Sequence, residues 1–108
     1  MGISYETIDK GRCALRMEGD MTIYTAAQLK ISLLEALNKC HEVEVDLSEV
    51  TDMDSAGLQL LILAKREAAR DRKSVRLVAH SAASLNVIDT YDMVGYFGDP
   101  VVISAPRG

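Results

Sequence analysis

The chain of 108 residues has no tryptophan, one phenylalanine and only two prolines. Its two cysteines fall far short of the density that holds small secreted domains together. No apolar run reaches the roughly 18 residues that would span a bilayer, so membrane insertion is not expected. Acidic residues outnumber basic ones by sixteen to twelve, and the net charge of −4 argues against a general nucleic-acid-binding face. The chain also lacks a Gly-x-x-x-x-Gly-Lys phosphate loop and the Gly-x-Ser-x-Gly elbow of serine hydrolases.

Cys13 and Cys40 stand far apart, with no Cys-x-x-Cys pair and no histidine at ligand spacing. They read as small buried or half-buried thiols of a reduced compartment, with a disulfide as the alternative, compatible but not needed. Tyr5, Glu6 and Asp9 occupy the region where a signal peptide carries basic and then apolar residues. Glu6 also stands where a myristoylation motif wants serine or threonine. The expectation is a cytoplasmic protein.

What is present is enough apolar material, 48% of residues, to fill the core of one domain over 1–108. Ile3 to Asp9 and Cys13 to Met17 read as two strands joined at Lys10-Gly11, with Gly19-Asp20 ending the second. A loop runs to Thr25, which forms a capping-box pattern with Gln28. Ala26, Leu29, Leu33, Leu34 and Leu37 then recur at helical spacing to about Lys39. Val43, Val45 and Leu47 alternate with Glu44 and Asp46 as a strand, and Ser48 to Asp54 reads as a connection. Ser55 opens a second helix, apolar nearly all round from Leu58 to Ala64 and charged beyond it. Val75, Leu77 and Val78 form a third interior strand, and Ser81 or Ser84 caps a short helix through Leu85, Val87 and Ile88. Val101 to Ile103 adds an edge strand or a docked tail, and Pro106-Arg107-Gly108 is a loose end. The order β-β-α-β-α-β-α predicts one α/β domain whose sheet is partly parallel and opens with an antiparallel pair.

The stretch Met53-Asp54-Ser55-Ala56-Gly57-Leu58 sets a hydroxyl where a helix begins. Helix starts leave backbone N–H groups without partners, and a serine oxygen can accept from one of them. A phosphate at the same place would meet those N–H groups and the positive end of the helix dipole, so modification need not unfold the domain. It would add about −1.5 to −2 of charge beside Asp52 and Asp54. Ala56 and Gly57 leave little bulk over the first turn, which lets a partner approach. The plain alternative is that Ser55 is only a cap and Gly57 only a packing contact.

Other constellations carry less. Asp46, Asp52 and Asp54 are oxygen ligands of the kind hard cations want, yet no lysine or histidine completes a phosphoryl-transfer site, and solvated carboxylates are the simpler reading. His41 and His80 are the only bases available to a serine nucleophile. Lys65, Arg66, Arg70, Arg72, Lys73 and Arg76 form a basic segment that is either solvated or meets an acidic partner. Ile23 and Tyr24 either staple the first helix or contact a partner.

With these residues in view the chain resembles the STAS domain family, and within it the bacterial anti-sigma factor antagonists. The resemblance rests on Gly19, on Thr25-Ala26, on Val45-Asp46-Leu47-Ser48, on the late segment from Tyr91 to Phe97, and above all on the hexapeptide around Ser55. It implies a mixed four- or five-stranded sheet with helices packed mainly on one face. It also implies that Ser55 matches a serine phosphorylated by a kinase that is itself an anti-sigma factor and reset by a serine phosphatase. Many antagonists carry an acidic residue three positions after the glycine matched by Gly19. Here that position is Thr22, with Asp20 the nearby acid; this points to a different partner, such as a chemotaxis or stress-signalling complex, or to a second hydroxyl switch, with a plain loop threonine as the simpler reading of the residue. The expected partner surface is Asp20, Thr22, Ile23 and Tyr24 together with Asp54, Ser55, Ala56, Gly57 and Leu58. The domain is expected to be non-catalytic, without cofactor or metal, and a monomer or weak dimer. The rival expectation is a STAS subunit or small-ligand-binding module of a lipid transport or signalling complex, needing no phosphate.

Overall fold

The computed structural model describes residues 2–90. The segment from Tyr91 to Phe97, the strand expected at Val101 to Ile103 and the loose end at Pro106 lie outside the described residues.

β1 (Gly2–Asp9) and β2 (Arg12–Met21) form the expected hairpin, with Tyr5 opposite Leu15. α1 (Ala26–Lys39) leads to β3 (Glu42–Met53), and α2 (Ser55–Arg70) leads to β4 (Ser74–His80). α3 (Ala82–Thr90) follows. The sheet has the order β1-β2-β3-β4, with β2, β3 and β4 parallel. Two crossovers that step the same way across a sheet place both helices on one side when each is right-handed. α1 and α2 accordingly lie side by side.

The period-2 pattern sorts the strands. Cys13, Leu15, Met17, Val43, Val45, Leu47, Val75 and Leu77 are buried in one core with Leu29 and Leu33 of α1, Leu61 and Ala64 of α2, and Ile88 of α3. The intervening residues carry charge and pair across the strands. Arg12 reaches Asp9, Glu42 and Glu44 at 3.0, 3.0 and 3.1 Å, Arg16 reaches Asp46 at 3.4 Å, and Arg76 reaches Glu44 at 3.8 Å. The Arg12 guanidinium is held above its ordinary value, first by its bond to Asp9 and then by the other carboxylates.

Four local expectations need correction. Gly19-Asp20 does not end β2: Gly19 takes φ +89°, the pairing with β3 slips there, and the strand continues to Met21. Left-handed backbone of this kind admits glycine at little cost, so the residue makes a bulge instead of a stop. Ser48 to Asp54 is not a connection either, because β3 runs on to Met53 against the lengthened β2. β4 buries Val75 and Leu77 as an interior strand would, yet among the described residues it pairs with β3 alone and lies at the sheet edge.

The fourth correction concerns the cysteines. Cys13 and Cys40, expected as separate thiols, form a disulfide. Cys13 points from β2 into the core, while Cys40 closes α1. The parallel pairing of β2 with β3 brings their Cα atoms to 6.3 Å, within bonding range despite 27 residues of separation. Of the two serines expected to cap α3, Ser81 precedes the helix and the pair bonds reciprocally: Ser84 N–H donates to Ser81 Oγ at 3.1 Å, and Ser81 N–H donates to Ser84 Oγ at 3.0 Å.

Candidate functional site

The carboxyl ends of β2 and β3 and the amino ends of α1 and α2 meet at one end of the sheet, the usual place for sites in parallel α/β layers. Here Asp54, and not Ser55, is the N-cap of α2. Its backbone is extended, and its Oδ1 accepts from Ala56 N–H at 2.9 Å and Gly57 N–H at 3.3 Å. Ser55 is therefore the first helical residue. Its side chain is exposed, and among the described residues its hydroxyl makes no hydrogen bond. The reading of Ser55 as the cap is overturned, because the helix begins one residue earlier than that reading needs: Asp54 holds the N-cap position and accepts from the Ala56 and Gly57 N–H groups.

The first turn of α2 is fixed from below. Asp54 N–H donates to Met21 O at 3.2 Å. Gly57 packs so closely on the same residue that a Cβ there would lie 2.6 Å from Met21 O. Its missing side chain thus serves contact with β2, and Leu58 beside it is also buried. Ala56 is half-buried and lines a groove of about 340 Å³ between α1 and α2 with Ala26, Lys30, Leu60 and Leu63. Of the nine residues expected at the partner surface, Gly57 and Leu58 face inward and the other seven reach the surface at least in part.

The loop from Asp20 to Thr25 stands beside this turn. Asp54 Oδ2 accepts from Ile23 N–H at 3.2 Å, so one carboxylate spans the helix start and the loop. At the loop's other end, Thr51 Oγ1 donates to Asp20 Oδ1 at 3.2 Å. Thr22 O accepts from Thr25 N–H and Ala26 N–H at 3.0 and 2.9 Å. Thr25 does precede α1, but its hydroxyl makes no cap bond to the helix, contrary to the capping box expected with Gln28. It accepts from Thr22 N–H at 3.0 Å and lies 3.0 Å from Asp20 O, turned back into the loop. Ile23 and Tyr24 are 68% and 93% exposed, which rules out a staple against α1. Among the described residues these are the most exposed large apolar side chains.

The carboxylates considered as metal ligands do not converge. Asp46 lies on the charged sheet face, where Oδ1 accepts from Ser48 N–H at 2.8 Å and Oδ2 meets Arg16. Burial pushes its carboxyl upward, but the Ser48 hydrogen bonds and the Arg16 charge outweigh this and hold it below the ordinary value. Asp52 accepts from Met53 N–H, and Asp54 is the cap. Among the described residues no three His, Cys, Asp or Glu side chains converge as a metal site. His41 lies beyond the amino end of β3, the far end of that strand from Ser55. His80 is buried, with Ser84 Oγ 3.4 Å from its Nδ1. The sequence reasoning placed Asp54 at the partner surface but missed its double role as cap and loop clamp. Aspartate ranks with serine as an N-cap residue, so cap preference alone did not single it out.

The fold is shared with solved structures. The anti-sigma factor antagonist SpoIIAA in its unphosphorylated form matches with a TM-score of 0.76 and 15% identity, over 96% of this chain and 89% of that one. The phosphorylated form of the Bacillus cell fate determinant SpoIIAA matches at 0.70 and 12%, over 96% and 92%. An anti-sigma factor antagonist from Mycobacterium paratuberculosis matches at 0.74 and 19%, over 94% and 86%. No curated protein sequence matches. Residues 5–102 match the family model described as "Mlab, STAS domain", and the chain belongs to that family of STAS domains.

Proposed function

We propose that this chain is a non-catalytic anti-sigma factor antagonist whose partner binding is switched by phosphorylation of Ser55. The observation that carries the reading is the division of labour at the start of α2. Asp54 supplies the cap, so the exposed Ser55 hydroxyl has no structural duty and is available to a kinase. Exposed Ile23 and Tyr24 stand on the loop that the same aspartate holds, and they supply apolar contact area next to the modified atom. The unmodified surface binds an anti-sigma factor that is also the serine kinase. A phosphate there adds about −1.5 to −2 of charge, and like charges brought together at an interface cost several kcal/mol. Since about 1.4 kcal/mol is tenfold in affinity, one phosphate suffices to release the partner. A serine phosphatase restores the binding form. Under this reading the domain works in the cytoplasm, as a monomer or weak dimer, with no cofactor.

The test uses the serine kinase encoded nearest to this gene. Incubation with that kinase and ATP, followed by intact-mass measurement, should add one phosphate to the parent and none to Ser55→Ala. Equal modification of both proteins sinks the assignment. A second reading is a constitutive STAS subunit or ligand-binding module of a lipid transport or signalling complex, favoured by the description of the matching family model, which names Mlab and not a sigma regulator. It requires neither kinase nor phosphate, and it predicts that Ser55→Asp keeps its partner in a pull-down, where the first reading predicts loss.

A further inference from the structure

We infer that Asp54 couples the state of Ser55 to the shape of the Ile23–Tyr24 loop, so that phosphorylation both charges the surface and unclamps the loop next to it. The inference rests on the reading of Ser55 as the switch and adds a mechanism to it. Three observations carry it. Asp54 divides its two oxygens between different chain segments: Oδ1 takes Ala56 and Gly57 N–H of α2, and Oδ2 takes Ile23 N–H of the loop. The bond to Ile23 ties the loop that bears the exposed apolar pair to the start of α2. Ser55 follows Asp54 directly, as the first residue of the helix whose Ala56 and Gly57 N–H groups Asp54 occupies.

In the modification step the Ser55 oxygen bonds to the γ-phosphorus of ATP, the bond to the β-phosphate oxygen breaks, ADP leaves, and the hydroxyl proton passes to a base of the kinase. The product is a dianion beside a carboxylate. Both are acceptors for the same helix N–H groups, and they repel each other. A phosphate offers more charge to those donors than Asp54 does. Asp54 therefore swings away from the helix start and gives up Ile23 N–H. The loop's internal bonds, from Thr25 and Ala26 N–H to Thr22 O, do not involve Asp54 and stay in place.

The experiment is amide hydrogen exchange by NMR on the full chain carrying phosphoserine installed at position 55 during translation, its mass confirmed, against the unmodified chain. Ile23 N–H should exchange about tenfold faster in the phosphorylated protein, as expected for loss of one hydrogen bond to a charged acceptor. Thr25 and Ala26 N–H should not change. Asp54→Asn separates coupling from capping, since asparagine caps helices as well as aspartate but keeps only one acceptor oxygen. In that variant Ile23 N–H should exchange fast already without phosphate, and phosphate should add nothing further. Equal Ile23 exchange in the two serine states of the parent overturns the coupling, as does an Asp54→Asn protein that still responds to phosphate. Because the phosphate is installed without a kinase, failure here is distinct from failure of the kinase to modify Ser55.

Discussion

Replacing Asp54 with alanine removes at once the acceptor of Ala56, Gly57 and Ile23 N–H. The expected loss is about 1–2 kcal/mol, the upper part of the range for N-cap deletions. Ser55→Ala should stay within about 0.5 kcal/mol of the parent, as surface changes without a bonded partner do. Urea denaturation of the two variants checks the order, and equal losses would return the cap to the serine. Gly57→Ala forces a Cβ towards Met21 O, a backbone atom that cannot rotate away, and should cost about 1–3 kcal/mol in the same assay. The start of this helix was legible in the chain, but the identity of its cap was not. Aspartate and serine are equally good caps, so propensity cannot choose between adjacent residues. The choice was made by β3, which continues to Met53 and leaves Asp54 as the first residue free to turn.

At the level of elements, the hairpin, the three helices and the succession of strands and helices along the chain follow from the periodicities of the apolar residues. The lengths of β2 and β3 do not, because their carboxyl halves are held by each other. Glu18 to Met21 pairs with Glu49 to Met53 through register slips, and a bulge erases the alternation by which a strand is recognised. The disulfide was hidden for a related reason. Two cysteines 27 residues apart become neighbours only after α1 has crossed between parallel strands. A cross-link closing a loop of this size stabilises by about 3–4 kcal/mol on the chain-entropy account. Full reduction should therefore lower Tm by more than about 10 °C, at about 4–8 °C per kcal/mol for a domain near this size. Thermal unfolding with and without a strong reductant, each state confirmed by thiol counting, measures it. An unchanged Tm would mean that packing of Cys13 and Cys40 in the core already supplies the constraint.

For the molecule as a whole, the two faces of the sheet answer to different solvent conditions. The core face depends on apolar burial, while the opposite face carries ion pairs whose carboxylates must be charged to contribute. Asp46 is the member whose carboxyl is held below its ordinary value. Its contribution is complete above the unfolded value of about 3.9 and is lost as pH falls through the lower folded value. The stability difference between the parent and Asp46→Asn should accordingly be constant near neutrality, shrink below about pH 4 and vanish once the carboxyl is neutral in both states. Urea midpoints followed across that range give the answer, and a gap that widens in acid would contradict the direction. At the other end of the molecule, the clamped loop has a consequence for traffic. The Ile23–Tyr24 pair stands on the loop that Asp54 ties to the start of the helix carrying Ser55, so under the proposed function a visitor docking at that serine has this ledge as its neighbour.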